Sequence, residues 1–145
     1  MTSPEEIIKI ADTRLEEAKL LFKEKRYSGA FYLAGYSVEL TLKAKICQSF
    51  GTPNLFDEKN STKGIDKVRS SVKTHDLTIL LIFSGLKPKY DGLKNTNPKM
   101  LKNISFLMKK WNEAERYKPD SPVRYAQIEK TINNLEDFLK WIKTN

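Results

Sequence analysis

The chain contains one histidine, His75, so any proton transfer near neutral pH that needs an imidazole must use it. It stands between Thr74 and Asp76 at the start of a predicted helix. There it can cap or pack the first turn, or face an incoming phosphate beside free backbone donors. A second candidate group is the run Trp111 to Tyr117, which ends in Arg116 and Tyr117 just before Pro119. Arginine binds phosphate in a bidentate fork and tyrosine can stack on a base. The alternative is that Arg116 complements a helix dipole while Tyr117 covers the edge of the core. A third group is a stripe, Tyr32, Tyr36, Glu39 and Lys43, whose steps of four, three and four put two phenols, a carboxylate and an ammonium on one side of a helix. Either this is an ordinary surface Glu–Lys pair under amphipathic tyrosines, or it lines a ligand pocket or dimer cleft where a buried charge must be matched.

Other chemistries find no support. One histidine and one cysteine without ligand spacing point to no metal site, and no cofactor motif is present. There is no Walker loop, no dinucleotide glycine motif, no Ser-His-Asp framework and no recognition helix rich in Arg and Asn. Cys47 lies inside an apolar run, where a buried, inert thiol is expected.

The elements that must position these groups are helical. Ile7, Ala11, Leu15, Ala18 and Phe22 share one face of a first helix over about 4–25, opened by Ser3 and Pro4, with Arg14, Glu17 and Lys25 turned to solvent. The second, over about 27–50, is apolar on several faces: Phe31, Val38 and Leu42 form one row, and Leu33, Leu40, Ala44 and Cys47 another. Such a helix is central, or is also covered by a second subunit. Gly29, Ala30, Ala34 and Gly35 would admit a close neighbouring helix, and Gly51 with Pro53 ends the segment. From about 52 to 73 periodicity is lost, which predicts a flexible polar loop with at most one short turn. A third helix starts at Thr74 or His75, buries Leu77, Leu80 and Leu81, and ends near Gly85. A fourth opens at Asn97-Pro98, turns Leu101, Ile104, Met108 and Trp111 inward, and runs to just before Pro119. Ser121-Pro122 opens a fifth with Ile128, Ile132, Leu135, Leu139 and Ile142 on its inner face. The expected fold is therefore all-α, an up-and-down bundle of four to five helices in a single domain over 1–145.

The chain's 145 residues, 39% hydrophobic and 30% charged, suffice for one core without staples. Met1 to Glu6 lacks a signal-peptide core and no stretch is long enough to span a membrane, so a cytoplasmic protein that makes no membrane contact is expected. The net charge of +8 comes mainly from lysine, with only five arginines. That balance suits an anionic partner but also suits a merely well-solvated helical protein.

Three stretches together resemble the HEPN superfamily. They are Leu21–Ala44 (LFKEKRYSGAFYLAGYSVELTLKA), with its Glu39-x-x-x-Lys43 pair, then Lys73-Thr74-His75-Asp76-Leu77, then Arg116-Tyr117. The resemblance covers most of the chain outside the 52–72 segment. It implies a HEPN-like helical bundle with a nucleotide or RNA function, often dimeric and often paired with a small nucleotidyltransferase. Many such proteins are metal-independent endoribonucleases, toxins or defence effectors whose motif is Arg, four to six residues, then His. Arg69 and His75 match that motif, five residues apart. Arg69, however, falls in a Ser- and Lys-rich stretch before the helix, and Leu77 stands where the family often has Tyr.

The leading expectation is a catalytically silent module of a toxin–antitoxin or defence system that binds nucleotide, RNA or a partner protein through the helix-two stripe and the Arg116 region. The second is a ribonuclease toxin in which His75 acts as acid or base on the RNA 2′-hydroxyl while Arg69 or Arg116 steadies the phosphorane. The third is a structural dimerisation or accessory subunit. A homodimer is expected because the second helix has more apolar surface than one bundle face needs.

Overall fold

The computed structural model describes residues 3–145, and no β-strand occurs among them. The helices are α1 (Pro4–Lys23), α2 (Tyr27–Ser49), α3 (Ile65–Val72), α4 (Leu77–Phe83), α5 (Lys87–Asp91), α6 (Leu93–Thr96), α7 (Pro98–Lys110) and α8 (Tyr125–Thr144), with 3₁₀ turns at Glu113–Tyr117 and Pro122–Arg124. The all-helical, HEPN-like expectation holds. Four long helices, α1, α2, α7 and α8, carry the core, and among the short ones α4 packs against both α2 and α7.

Local chemistry sets the ends. Ser3 accepts a hydrogen bond from the Glu6 amide and Glu6 answers to the Ser3 amide, a capping box that starts α1 at Pro4. After Lys23 the chain reverses through Lys25 at φ +62°, with the Arg26 amide donating to the Leu21 carbonyl at 2.8 Å. α2 has no side-chain cap of its own; Asp120, distant in sequence, accepts from the Ser28 amide at 2.9 Å. At the other end Gly51 takes φ +62°, the left-handed conformation that lets the Thr52 amide reach the Cys47 carbonyl.

α2 is enclosed by α1, α8, α4 and the 3₁₀ turn after α7, so its apolar circumference is satisfied within one chain. The polar side chains inside it are satisfied as well: Ser37 and Thr41 donate to the Ala34 and Ser37 carbonyls. The neighbour that Gly35 admits is a ring, not a helix. A Cβ there would lie 2.1 Å from the Trp111 indole, whose Nε1 donates to the Tyr32 carbonyl at 3.1 Å. The inner row of α8 (Ile128, Ile132, Leu135, Leu139, Ile142) is buried as expected, and so are Ile7, Ala11, Leu15 and Ala18 of α1.

Three expectations need correction. The segment 52–73 is not an unstructured loop: it contains α3 and buries Leu55 and Val72, with Phe56, Ile65 and Val68 packed against the core. The helix after it begins at Leu77, because Asp76, not Thr74 or His75, accepts from the Thr78 and Ile79 amides. α7 ends at Lys110, not before Pro119. Trp111 turns to extended backbone, and Asn112 caps a separate 3₁₀ turn that folds back on α2. The reason is Trp111 itself, whose ring is seated on Gly35 and so draws the chain out of helical register.

Candidate functional site

Glu39 is buried, 1% exposed, in the middle of α2. A carboxylate so placed is costly unless partners replace its water. Lys43, one turn on and 6% exposed, donates from Nζ to Oε2 at 3.3 Å. The other oxygen, Oε1, lies 2.6 Å from Nδ1 of His75. The two residues are 36 positions apart, and the backbone just ahead of α4 brings them together. His75 keeps about half of its side chain in solvent, and its second nitrogen, Nε2, lies 2.9 Å from Oε2 of the exposed Glu113. The Glu39–His75–Glu113 chain thus ties α2, the start of α4 and the 3₁₀ turn together across a cleft.

That cleft has a volume of about 660 Å³, opens to solvent, and is lined by Lys73 to Thr78 on one side and by Met108, Lys109, Trp111, Asn112 and Glu113 on the other. Lys109 lines the cleft without an ion-pair partner among the described residues, whereas the Lys73 ammonium, on the opposite wall, donates to Glu58 at 2.7 Å. Because the two carboxylates approach the ring on opposite nitrogens, they cannot converge on one ion. Among the described residues no group of His, Cys, Asp or Glu is arranged to hold a metal.

The rest of the stripe continues away from the cleft. Tyr32 and Tyr36 are stacked with centroids 6.2 Å apart, and Trp111 stacks on Tyr32 at the same distance. Burial, followed by the nearby Glu39 charge and Tyr32, raises the Tyr36 phenol above its ordinary range, with Arg14 of α1 opposing. Arg116 lies over the exposed Tyr117 ring at 4.8 Å, and its pKa is raised by Tyr117 first and by the Tyr32 hydroxyl to a smaller extent. At the far end Lys43 sits 5.6 Å above the Phe56 ring.

The expected residues therefore divide. Glu39, Lys43 and His75 come together. Tyr32, Tyr36, Arg116 and Tyr117 form an adjoining row that does not line the cleft. Arg69 does not join His75: it is 7% exposed, and its guanidinium donates to the carbonyls of Leu55, Asp57 and Asn60, each at 2.7 Å. It serves as the brace of the 52–64 turn, with the exposed Glu58 carboxylate 3.9 Å away. Cys47 is buried, which pushes its thiol up to about 11. Glu113, Lys73 and Lys109 were not singled out from the sequence. Glu113 gives no local signal, because its partner lies 38 positions earlier. Lys109 belongs to a lysine-dense stretch that a charge count over short windows would have found.

With this geometry in view, residues 4–55 match the family model of the HEPN domain. That stretch of the chain is similar to a HEPN domain. The matched stretch covers α1, α2 and the turn to buried Leu55, so Tyr32, Tyr36, Glu39 and Lys43 lie inside it, while His75, Arg69, Arg116 and Tyr117 lie beyond it. Comparisons with curated proteins and with solved structures returned no match. No helix among the described residues is long and apolar enough to cross a membrane.

Proposed function

We propose that this chain acts as a single-domain module that binds a nucleotide, or one nucleotide of an RNA, in the His75 cleft. The observation that carries the reading is His75, fixed on one nitrogen by buried Glu39 and presenting the other at the cleft, with Lys109 on the cleft wall. A phosphate entering there takes the place of the Glu113 carboxylate on Nε2. It gains the imidazole hydrogen bond and the charge of Lys109 on the cleft wall, while Glu113 swings into water. Arg116 and Tyr117, both exposed, lie on the turn that carries Glu113 and can meet the remainder of a longer ligand. Similarity to the HEPN domain, a nucleotide- and RNA-related module, supports the same class of ligand. A homodimer, a cytoplasmic setting and a toxin–antitoxin or defence role with a small nucleotidyltransferase partner complete the proposal. For the dimer, the exposed Ile79, Ile82 and Phe83 of α4 offer a contact that the enclosed α2 does not.

The test is calorimetric titration of a ribonucleoside monophosphate and a short single-stranded RNA into the wild-type chain and its His75→Ala and Glu113→Gln variants, in EDTA. Saturable binding lost in His75→Ala and about fivefold tighter in Glu113→Gln, from removing one like charge near the phosphate, is the expected pattern. Equal binding by all three proteins would contradict it.

A ribonuclease reading is favoured by one feature, the Glu39–His75 hydrogen bond, since a carboxylate that orients an imidazole is how a general acid or base is held. No arginine stands beside His75 in the chain, and Arg69 is committed to carbonyls. Cyclic-phosphate ends from labelled RNA incubated with wild type in EDTA, absent with folded His75→Ala, would establish cleavage in place of simple binding.

A further inference from the structure

The positive charge of this protein is not spread over it. Between positions 87 and 110 there are seven lysines and one acidic residue, Asp91, so this stretch alone carries six of the eight net positive charges. Elsewhere the solvent faces mix signs and pair several of them: on α1 and α8 Lys19 reaches Glu16 and Glu136, Arg14 reaches Glu17, and Lys143 reaches Asp12. α7 differs. Its only charged residues are Lys99, Lys102, Lys109 and Lys110, all exposed, and none enters an ion pair among the described residues. At 3.6 residues per turn the four fall within about 100° of the helix circumference, and they extend over about 16 Å along its axis.

Two ordinary explanations fall short. The helix dipole welcomes Lys109 and Lys110 in the last turn, but Lys99 sits in the first turn, where a carboxylate is favoured and none is present. Solubility is served by interspersed signs, as α1 and α8 show, and does not require an acid-free face. A membrane surface also fits poorly, because interfacial helices carry large apolar residues toward the lipid. Every large hydrophobic residue exposed on this protein lies outside 87–110.

We propose that the lysine face of α7 is a track for the phosphodiester backbone of a single-stranded nucleic acid, one nucleotide of which occupies the His75 cleft. The two surfaces are continuous, since Lys109 belongs both to the α7 face and to the cleft wall. A strand fits where a duplex does not, because seating one nucleotide in the cleft requires that it be unpaired. The proposal rests on the cleft reading for the position of that nucleotide, but not for the track itself.

The experiment is fluorescence anisotropy of a labelled 12-nucleotide single-stranded RNA as a function of salt, with a ribonucleoside monophosphate titrated in parallel. It compares wild type, a triple variant Lys99→Gln, Lys102→Gln, Lys110→Gln, and a charge-matched control, Lys23→Gln, Lys63→Gln, Lys130→Gln, with circular dichroism to confirm folding. The control lysines are exposed and unpaired, on α1, in the 52–64 turn and on α8. The α7 variant should bind the RNA at least about tenfold more weakly at 0.1 M salt, with a log–log salt slope shallower by about 2, the value for three lost phosphate contacts on a single strand. It should bind the monophosphate like wild type, and the control should stay within about twofold on both ligands. An α7 variant that binds the RNA like wild type, or a control that loses as much, overturns the track. So does a wild type that ignores the RNA and sediments with anionic vesicles. If the monophosphate never binds while the α7 lysines still set RNA affinity, the cleft reading fails and the track stands.

Discussion

Two buried glutamates, Glu39 and Glu115, are held in nearly the same way and to different ends. Each is almost fully shielded, each takes a lysine from its own helical turn, and each takes a second partner from another segment. For Glu115 the second cation is Arg124, at 3.0 Å, which is itself mostly buried and lies 4.8 Å over the Phe31 ring. That guanidinium is packed on its face, so the pair staples the 3₁₀ turn to the start of α8. For Glu39 the second partner is His75, half in solvent, with its far nitrogen at an open cleft. The same electrostatic device is structural where its outer partner is enclosed, and available to a ligand where that partner is exposed and can exchange one acceptor for another.

Substitutions can separate these two roles. The largest loss of stability is expected from Glu115→Ala, which strands the mostly buried Arg124, at about 3–5 kcal/mol in urea unfolding. Binding by the fraction that remains folded should not change. Glu39→Gln should cost about 3 kcal/mol, because Lys43 is left buried without its counter-ion, and should also abolish binding. The double variant Glu39→Leu, Lys43→Met sharpens the point: removing both charges should recover most of the stability without recovering binding, measured by the same unfolding and calorimetry. If binding returns as well, Glu39 matters only for folding.

Smaller effects follow. Alkali should weaken the fold from about pH 9 to pH 11, because the buried Cys47 thiol, pushed up to about 11, stays protonated when folded but ionises once unfolded. The unfolded chain binds fewer protons in that window, so stability falls as pH rises, by about 1 kcal/mol per pH unit from this group. Cys47→Ala should flatten that slope in urea titrations across the window. Least of all, Lys25→Gly should raise stability by about 1 kcal/mol, since Lys25 holds φ +62°, which glycine adopts without penalty.

Much of the frame was legible because it is written in helical periodicity. The α8 row and the α1 row keep their spacing from end to end, and Ser3-Pro4 and Asn97-Pro98 start helices where they were expected. Legibility failed where a contact distant in sequence overrides local preference. Trp111 fits the inner row of a continuing helix, yet Gly35 offers it a seat that ends α7. The 52–73 stretch looks polar because its few apolar residues are spread thinly, and the brace that organises it is one arginine binding three carbonyls. The same holds for the site. Glu39 and His75 were each visible by type, but their pairing spans 36 positions and depends on where α4 lies against α2. The Arg69 and His75 spacing matched a motif in letters, while the fold turned the two side chains to unrelated tasks.

The central claim is that a phosphate engages His75 at the cleft, and the single histidine makes it directly observable. Proton NMR of the imidazole Cε1–H gives one resonance, needing no assignment, which can be followed during titration with a ribonucleoside monophosphate. A saturable shift in wild type, present in Glu115→Gln and absent in Glu39→Gln, is the expected result. A resonance that stays fixed while the nucleotide binds elsewhere, or that never responds at any concentration, would contradict it.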